Sequence, residues 1–347
     1  MTTDALLGGA VDPDLLALMD AVVAEHGGAG TAHGGPVRLD AALWSRLSEL
    51  GLVRLTGSEQ TGGSGAGWPE AAELAAAAVR HAVRLPLAEH DLLAGWLLET
   101  AGLPVDDAVR TVAVLGADGT AAAVPWASAA QRIVLLWRDA DGTHRVADVE
   151  PQRLRVTPGT NLIGEPRDTV AADVGALSGT AVADELAGRL ELRAALVRAV
   201  QVAAALDTAV GLAIEHAGAR TQFGRPLAKF QAVQHMIADI AAETALARTA
   251  VAAALHRAVE TDWAAADLDF MVAVARSCAG HAADVVVRRA HQLLGAIGTT
   301  AEHRLHHYTR AALAWRGEYG SVRSWDERVT AAAARAGADG LWPLIAG

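Results

Sequence analysis

Residues 220–240 read RTQFGRPLAKFQAVQHMIADI, which places donors and an aromatic ring ahead of a turn and a long apolar segment. Gly224 and Pro226 favour the turn, because glycine adopts left-handed backbone angles and proline fixes φ. Arg220 offers a planar, charged fork of N–H donors that suits phosphate oxygens. The stretch therefore predicts an anion-binding turn at the start of a helix, with Phe223 as an apolar face. The alternative is that Arg220 pairs with a surface acid and Phe223 packs in the core.

The composition of the chain limits the classes of protein it can belong to. Of its 347 residues, 52% are apolar and 20% are charged, which suits a large buried core divided among about two or three subdomains. No stretch of about eighteen residues lacks a charge, so we expect a water-soluble protein without membrane spans. The net charge of −11 argues against nucleic acid as a partner.

Two further features favour a cytoplasmic location. Cys278 is the only cysteine and lies in an alanine-rich helical pattern, where a buried, unreactive thiol is the expected state. Residues 1–14 carry acids where a secretory signal carries bases, and no apolar stretch follows them. Export is therefore not expected.

The first of three zones, residues 1–110, has apolar residues at spacings of three and four, which predicts a domain of amphipathic helices. Glycine runs at 27–35 and 61–67 separate the helical patterns. Both runs lack the Gly-Lys-Ser/Thr ending of a phosphate-binding loop, so we predict that they are loops or flexible turns.

The other two zones differ from the first in periodicity. Residues 111–183 contain short β-branched runs separated by turns such as DGT, which predicts a small antiparallel β-domain. Residues 184–347 are helical in pattern and often apolar on nearly every face, which predicts a bundle that packs against itself or another subunit. The predicted helices of the bundle cover residues 184–217, 229–260, 263–294, 301–317 and 321–336. The predicted fold is thus mostly α with a small central β-domain.

This order of zones, together with two motifs, resembles the acyl-CoA dehydrogenase superfamily over nearly the whole chain. The first motif consists of Arg220, Gln222, Phe223, Gly224, Pro226, Leu227, Phe230 and Gln231. The second is QLLGAIGTTAEHRLHHYTRA at residues 292–311. The resemblance implies an N-terminal helical domain, a β-domain and a C-terminal helical bundle.

The resemblance also implies FAD as the cofactor, an acyl-CoA as the substrate and an electron-transfer acceptor as a partner. In the family the Arg220 turn usually reaches across a subunit interface, so the clamp would hold the flavin of a neighbouring chain. The cofactor-binding residues implied in this way are Arg220, Gln222, Phe223, Gln292, Gly295, Gly298 and Ser321. No metal is implied.

One part of this clamp departs from the family pattern. The family segment Gln-x-x-Gly-Gly-x-Gly reads here Gln292, Gly295, Ala296 and Gly298, so an alanine replaces one glycine. The added methyl group is either tolerated or narrows the site. The glycines equally fit an ordinary helix cap and turn at residues 295–298.

The catalytic base is the weakest match. Family members remove the α-proton of the thioester with a glutamate while a hydride passes to the flavin. By count from Arg310, the position of that glutamate is occupied by Tyr319, and Gly320 and Ser321 match the residues that follow. Glu318 lies one residue early, an offset of about 100° on a helix. It would serve as the base only if the chain were locally shifted.

The alternative position of the base in the family offers no better candidate. It maps near Ala194, and the nearest acid, Glu191, lies on a neighbouring helix face. Glu191 and Glu318 also fit as solvated helix residues.

The β-domain lacks recognisable counterparts of the family stretches TEP-x-x-GSD and Trp-Ile-Thr-Asn, which flank the flavin ring. Clamp residues without a base or ring-side motifs resemble the non-catalytic type of subunit in actinobacterial α2β2 dehydrogenases, which act on steroid-derived and other bulky acyl-CoA substrates. Two alternatives remain: a self-sufficient homotetrameric dehydrogenase with a displaced base, and a flavin-free scaffold subunit.

Three histidines fall on one face of a predicted helix. His303, His306 and His307 have the i, i+3, i+4 spacing that metal ligands use. No cysteine pair or carboxylate–histidine pattern accompanies them, so polar contacts at an interface or with solvent are the expected role.

Overall fold

The computed structural model describes residues 11–27 and 35–346, and the chain forms two compact units, Met1–Ala194 and Ala195–Gly347. The fold is mostly helical with a small sheet region, as the sequence predicts. Residues 1–10, on which the expectation about export rests in large part, lie outside the described residues. So do residues 28–34, which make up most of the first glycine run.

The helical part of the first unit begins with helices capped by aspartate side chains. Asp12 accepts a hydrogen bond from the Asp14 amide, and Asp40 accepts from the amides of Ala42 and Leu43. Such caps satisfy amides that have no partner within the helix. The elements are α1 (Pro13–Ala24), α2 (Ala41–Glu49), α3 (Trp68–Arg80), a π-helix (Glu89–Gly95) and α4 (Trp96–Thr100).

The second glycine run, residues 61–67, is a braced loop. A Cβ at Gly63 would overlap with the backbone of Gly57, so this close approach of two chain segments requires glycine. Buried Arg54 donates to the Thr61 carbonyl oxygen at 2.7 Å, and the Thr61 hydroxyl donates to Glu99 at 2.6 Å. The loop prediction is right, and the bracing accounts for the glycines without a phosphate ligand.

Two neighbouring titratable residues of the π-helix, His90 and Asp91, are buried, and their pKa values are shifted in opposite directions. Burial raises the pKa of Asp91 to about 7, although its carboxylate accepts hydrogen bonds from the Thr56 amide and hydroxyl. Burial, followed by the charges of Arg110 and Arg54, lowers the pKa of His90 to about 3. His90 is therefore uncharged near neutral pH, and Asp91 is about half protonated there.

Asp91→Asn is expected to remove the contribution of Asp91 to the pH dependence of the free energy of unfolding. The contribution of His90 has the opposite sign and partly cancels it. The folded state binds the Asp91 proton more tightly than the unfolded state, so its contribution to the free energy of unfolding falls as pH rises from about 4 to about 7. His90 acts oppositely, and its contribution rises from about pH 3 to about 6.5. The variant should match the wild type near pH 4 and exceed its stability above pH 7 by a few kcal/mol. Urea denaturation at several pH values measures this, and parallel pH profiles would contradict it.

The β-region forms two small sheets. The strands are β1 (Arg110–Val114), β2 (Thr120–Pro125), β3 (Arg132–Arg138), β4 (His144–Val149), β5 (Arg155–Thr157), β6 (Arg167–Ala171) and β7 (Thr180–Val182). The sheet orders are β1-β3-β4-β7 and β2-β6-β5. Every pair is antiparallel except β1–β3, which is parallel.

The parallel pair corrects the expectation of a wholly antiparallel domain. The DGT turn at residues 141–143 joins β3 and β4 as a hairpin, as predicted. The DGT turn at residues 118–120 instead sends the chain from one sheet to the other. β1 therefore pairs with β3.

The predicted domain borders after residues 110 and 183 fall close to where helices change to strands and back, and the division into three domains stays a prediction.

The second unit is helical. Its elements are α5 (Glu185–Ala219), which begins in the first unit, then β8 (Thr221–Gln222), β9 (Arg225–Pro226), α6 (Gln231–Glu260), α7 (Leu268–Leu294), α8 (Leu305–Trp315) and α9 (Val322–Ala346). Each helix lies within a few residues of its predicted segment, except that α9 runs further.

Cys278 in α7 is half-buried, and burial followed by Glu243 and Asp326 raises the pKa of its thiol, which disfavours the reactive thiolate.

α5 and the stretch Leu268–Thr299 are long and apolar enough to span a membrane by length and composition alone. The most apolar windows of these two stretches are 67% and 50% buried inside the protein. Core helices of soluble proteins meet the same criterion, so these two helices are weak evidence for a membrane span.

Candidate functional site

The stretch 220–226 forms a two-residue β-hairpin directly after α5. β8 and β9 pair Gln222 with Arg225, and the two residues between them, Phe223 and Gly224, have φ values of 52° and 76°. Positive φ at both positions is the signature of a type I′ turn. The predicted turn is present, and Gly224 occupies the position where glycine is favoured.

Phe223 is unusual in both conformation and exposure. A left-handed backbone costs a non-glycine residue about 1–2 kcal/mol, and 92% of Phe223 is open to solvent. Its ring forms an edge contact with the Phe230 ring, with 6.1 Å between centroids. The structure therefore rules out packing of Phe223 in the core of its own chain. A strained turn that displays an aromatic ring is typical of a recognition element.

Arg220 lies at the foot of the hairpin with its guanidinium exposed. Among the residues that the structure describes, no carboxylate lies within ion-pair distance of it, so the alternative of a surface ion pair does not apply. Its amide donates to the His216 carbonyl oxygen at 2.9 Å, which places Arg220 at the C-terminal end of α5. Cations are favoured at that end of a helix.

This position corrects one part of the anion argument. The hairpin and a 3₁₀ turn, Leu227–Lys229, separate Arg220 from the first residue of α6, Gln231. The dipole of α6 therefore does not begin at the turn, as the sequence suggested. Any anion affinity of the hairpin comes from the side chains.

The second clamp segment is a 3₁₀ turn, Gly295–Thr299, that follows α7. Gly295 has φ 63° and ψ −140°, angles that only glycine adopts readily, and among the described residues no atom beyond its chain neighbours lies within 4 Å of the place of a Cβ. A Cβ at Gly298 would overlap with Leu294, so packing explains that glycine. The helix-cap interpretation thus accounts for both glycines, and their role toward a cofactor stays a prediction.

The remaining residues of the segment are open to solvent. Gln292 and Ala296 are exposed, and Ile297 is an exposed apolar residue. The methyl group of Ala296 therefore lies on an exposed residue and not in the core. Gln222 of the hairpin is likewise exposed, and its amide donates to the neighbouring Thr221 carbonyl oxygen.

Histidines connect the two clamp segments. His303 lies close enough to His216 of α5 and to His306 of α8 for their charges to lower its pKa, after the larger effect of burial. Burial also lowers the pKa of His291, which interacts with the Gly298 backbone and with His306. These contacts place the hairpin and the Gly295–Thr299 turn at the same end of the second unit. Within the described ranges, no group of three or more His, Cys, Asp or Glu side chains is arranged to hold a metal ion.

Glu318, the sequence candidate for the base, is bound to a buried arginine. Its carboxylate accepts a hydrogen bond of 2.7 Å from Nε of Arg198, a residue of α5 that is 1% exposed. The carboxylate itself is 15% exposed. Glu318 therefore acts as a counter-ion in this structure, and its assignment as a base stays a prediction.

A second buried arginine holds the backbone of the same segment. Nη2 of Arg276 donates to the carbonyl oxygens of Arg316, Glu318 and Gly320 at 2.8–3.1 Å. Burial, followed by the charge of Arg198, lowers the pKa of Arg276 to about 10. Arg276 thus remains charged at neutral pH, and Glu318 is the acid that opposes both charges.

The residues around Glu318 have structural roles of their own. Tyr319, at the counted position of the base, has a backbone φ of 52°. The Arg198 guanidinium carbon lies over the Tyr319 ring, 5.2 Å from the ring centroid. A side chain at Gly320 would collide with Trp325. The Ser321 hydroxyl accepts a hydrogen bond from the Ser324 amide and so caps α9. The cap gives Ser321 a structural role that needs no cofactor. The binding of a cofactor by Ser321 stays a prediction.

Sequence reasoning missed Arg198, Arg276 and His216. Each lies in a long apolar helix, and nothing in the local pattern marks it. A charged residue on an otherwise buried helix face is the signal that was available, since such residues are almost always paired.

Comparisons with known proteins match part of the chain to a family model. Residues 189–321 match the family model described as acyl-CoA dehydrogenase, C-terminal domain. Acyl-CoA dehydrogenase FadE34 of Mycobacterium tuberculosis is 36% identical over 143 residues, which are 41% of this chain and 20% of FadE34. Acyl-CoA dehydrogenase IpdE2 of the same organism is 36% identical over 125 residues, which are 36% of each chain. The match spans well under half the length of both curated relatives.

The whole chain is similar to solved structures in its fold. One chain in the crystal structure of the ChsE4–ChsE5 complex from Mycobacterium tuberculosis superposes with a TM-score of 0.79 at 23% identity, covering 96% of this chain and 98% of that one. The helices, sheets and bundle described above are thus the acyl-CoA dehydrogenase fold. Residues 189–321 of this chain match the C-terminal domain of the acyl-CoA dehydrogenase family, and the whole chain has the fold of that family.

Proposed function

We propose that this chain is the non-catalytic type of subunit of a heteromeric acyl-CoA dehydrogenase, in which it completes the FAD site of a companion dehydrogenase-like chain. The observation that carries the proposal is the hairpin, which displays Phe223 and Arg220 to solvent from a strained, well-defined turn. Among the residues that the structure describes, Arg220 has no ion-pair partner, and Phe223 remains 92% exposed despite its contact with Phe230. A companion chain with a bound dinucleotide supplies both an apolar surface and a diphosphate.

The residues at this end of the second unit suit such a cofactor. Arg220 offers an unpaired fork of donors for a diphosphate. Open space beside Gly295 lets a ligand approach the backbone closely. Arg220, Gln222 and Phe223 would hold the cofactor from one side, and Gln292, Gly295 and Gly298 from the other. When bound, FAD would accept the hydride that leaves the β-carbon of the acyl thioester.

The state of Glu318 favours a base on the companion chain. Proton removal from the weakly acidic α-carbon needs a carboxylate aimed at the substrate in a water-excluded site. The Glu318 carboxylate is instead directed at Arg198 inside its own unit. Removing it from there would leave a buried guanidinium without its counter-ion.

The remaining parts of the proposal rest on the family resemblance. The substrate would be an acyl-CoA thioester, with steroid-derived or other bulky acyl groups as the class implied by the heteromeric relatives, and an electron-transfer protein would reoxidise the flavin. A solved heteromeric complex with this fold, ChsE4–ChsE5, supports the two-chain arrangement. The single cysteine supports a cytoplasmic location.

Co-expression with a companion dehydrogenase-like chain tests the proposal. The chain alone is expected to purify without colour, and the co-purified complex is expected to be yellow with fewer flavins than chains. The measurement is the visible absorption spectrum together with the protein concentration. A chain that is yellow by itself and oxidises an acyl-CoA would instead support the self-sufficient homotetramer. A colourless complex would support the scaffold subunit.

A further inference from the structure

A cavity of about 440 Å³ opens in the first unit between α2, the segment before β1 and the segment before β3. The Trp44 indole forms an apolar wall, and the polar side chains around it are Ser45, Ser48, Asp107 and Gln131. None of the described residues that line the cavity is a lysine, an arginine or a histidine. Small-molecule sites have volumes of about 300–1,000 Å³, so the cavity is large enough for a small ligand.

Contacts behind the cavity hold its wall in place. Trp44 is 7% exposed, and its ring meets the His90 ring at an interplanar angle of 82° with 5.2 Å between centroids. Burial lowers the pKa of His90 to about 3, so the ring behind Trp44 carries no charge near neutral pH. The Val109 amide donates to Oε1 of Gln131 at 2.8 Å, which fixes the side chain at the opposite wall. The wall is therefore ordered and uncharged.

Asp107 brings a negative charge to this cavity. Its side chain is exposed and makes no hydrogen bond or ion pair with any residue that the structure describes. The arginines closest to the cavity in sequence already have partners. Arg110 pairs with Asp106 at 2.6 Å and with Asp148 at 3.0 Å, and Arg132 pairs with Asp148 at 2.6 Å. Asp107 is thus free to pair with a ligand.

The side of the cavity formed by α2 adds hydrogen-bond acceptors. Ser45 and Ser48 lie three residues apart on one face of α2, and neither hydroxyl has a hydrogen-bond partner within the described ranges. The positive end of the α2 dipole is offset by Asp40, whose carboxylate accepts hydrogen bonds from the amides of Ala42 and Leu43. The helix therefore does not repel a cation from this side.

We propose that the cavity binds a small organic cation, namely a guanidinium group on an apolar stem. A guanidinium offers only donors, and Asp107 can accept two parallel N–H bonds from its planar fork. The Trp44 ring attracts the positive charge and covers the stem, while the hydroxyl oxygens of Ser45 and Ser48 accept further N–H donors. All of these residues belong to the first unit, so the inference does not depend on the proposed flavin site.

Titration of the isotope-labelled, full-length chain with butylguanidinium, followed by NMR, tests this inference. Butylguanidinium is expected to shift the Trp44 indole N–H signal with a Kd on the order of 1 mM. Butylurea has the same shape without the charge, and it should bind about tenfold more weakly. Trp44→Phe assigns the indole signal and should weaken binding several-fold, since phenylalanine is the poorer partner for a cation. The Gln131 side-chain amide signal reports binding in that variant.

A pair of charge-removing variants separates recognition by Asp107 from the general charge of the chain. Asp107→Asn is expected to weaken the binding of butylguanidinium by about tenfold and to leave butylurea unaffected. Asp141→Asn removes the same charge from the exposed turn between β3 and β4, and it should change neither Kd. Equal binding of the two probes, or equal effects of the two substitutions, would overturn the inference. Loss of flavin from the complex in Arg220→Ala is a separate result that none of these outcomes changes.

Two further probes identify the source of the guanidinium. Agmatine is a free guanidinium compound, and a capped Gly-Arg-Gly peptide presents the same group on a protein backbone. Binding of agmatine with exclusion of the peptide would support a small-molecule ligand. A peptide that binds as tightly as agmatine would overturn the small-molecule assignment and would indicate an arginine side chain of a partner protein.

Discussion

Replacing Arg220 with alanine is expected to raise the Kd of the assembled enzyme for FAD by about 10- to 100-fold, since a hydrogen bond to a charged group contributes about 1.5–3 kcal/mol. The structure makes this a test of binding alone, because the guanidinium is exposed and supports no ion pair in the described part of its own chain. Flavin content after gel filtration, and titration of the stripped complex with FAD, measure the effect.

The same hairpin provides a matched control. Arg225 is also exposed, and its guanidinium lies 4.1 Å from the centroid of the Phe230 ring. Arg225→Ala is expected to keep FAD bound, and Arg220→Lys should lie between the wild type and Arg220→Ala because lysine lacks the planar fork. Equal flavin loss in Arg220→Ala and Arg225→Ala would indicate a damaged hairpin. Full flavin retention in Arg220→Ala would reject the proposed clamp.

Glu318→Gln is expected to lower the free energy of unfolding by about 3–5 kcal/mol, because it removes the charge that pairs with the buried guanidinium of Arg198. Arg198 lies 2.7 Å from the carboxylate, and Arg276 lies close enough for the carboxylate to raise its pKa against the effect of burial. The assembled enzyme should nevertheless keep its turnover per folded complex. Thermal denaturation and steady-state kinetics well below the melting temperature give the two readouts.

A double substitution isolates the ion pair. Arg198→Met combined with Glu318→Gln should recover much of the lost stability, since apolar replacement of a buried pair is often neutral. Glu327→Gln, which breaks an exposed pair with Arg323, should cost no more than about 1 kcal/mol. If Glu318→Gln abolished turnover in a fully stable complex, Glu318 would be the base and the self-sufficient enzyme would be the better interpretation.

Periodicity was sufficient to predict the helices of the bundle but not the hairpin. The apolar spacing over residues 229–260 and 263–294 reflects burial along α6 and α7, and burial is what periodicity reports. The turn at Phe223 was recognised only as a turn, because type I′ hairpins are usually marked by Asn-Gly or Gly-Gly. Phenylalanine at a left-handed position has no sequence signal, since the conformation is imposed by the pairing of β8 and β9.

The sequence was sufficient to find the residues of the candidate site. It was not sufficient to predict the contacts that those residues make with distant parts of the chain. Arg220, Gly295 and Glu318 were all found from spacing and resemblance. The ion pair of Glu318 with Arg198 joins residues 120 positions apart, and no local pattern encodes such a contact. The parallel pairing of β1 with β3 was missed for the same reason, since the DGT turn between β1 and β2 specifies a reversal and not the sheet that each strand enters.

The exposed ring of Phe223 has a consequence for how cells make this protein. An aromatic side chain held 92% in water by an ordered turn offers apolar area to a partner chain. If the companion chain of the proposed complex covers that ring, molecules synthesised in excess of the companion would keep it exposed and would be the ones open to self-association and quality-control proteolysis. Matched synthesis rates of the two polypeptides, as translation from one shared transcript provides, would keep the ring covered from the start.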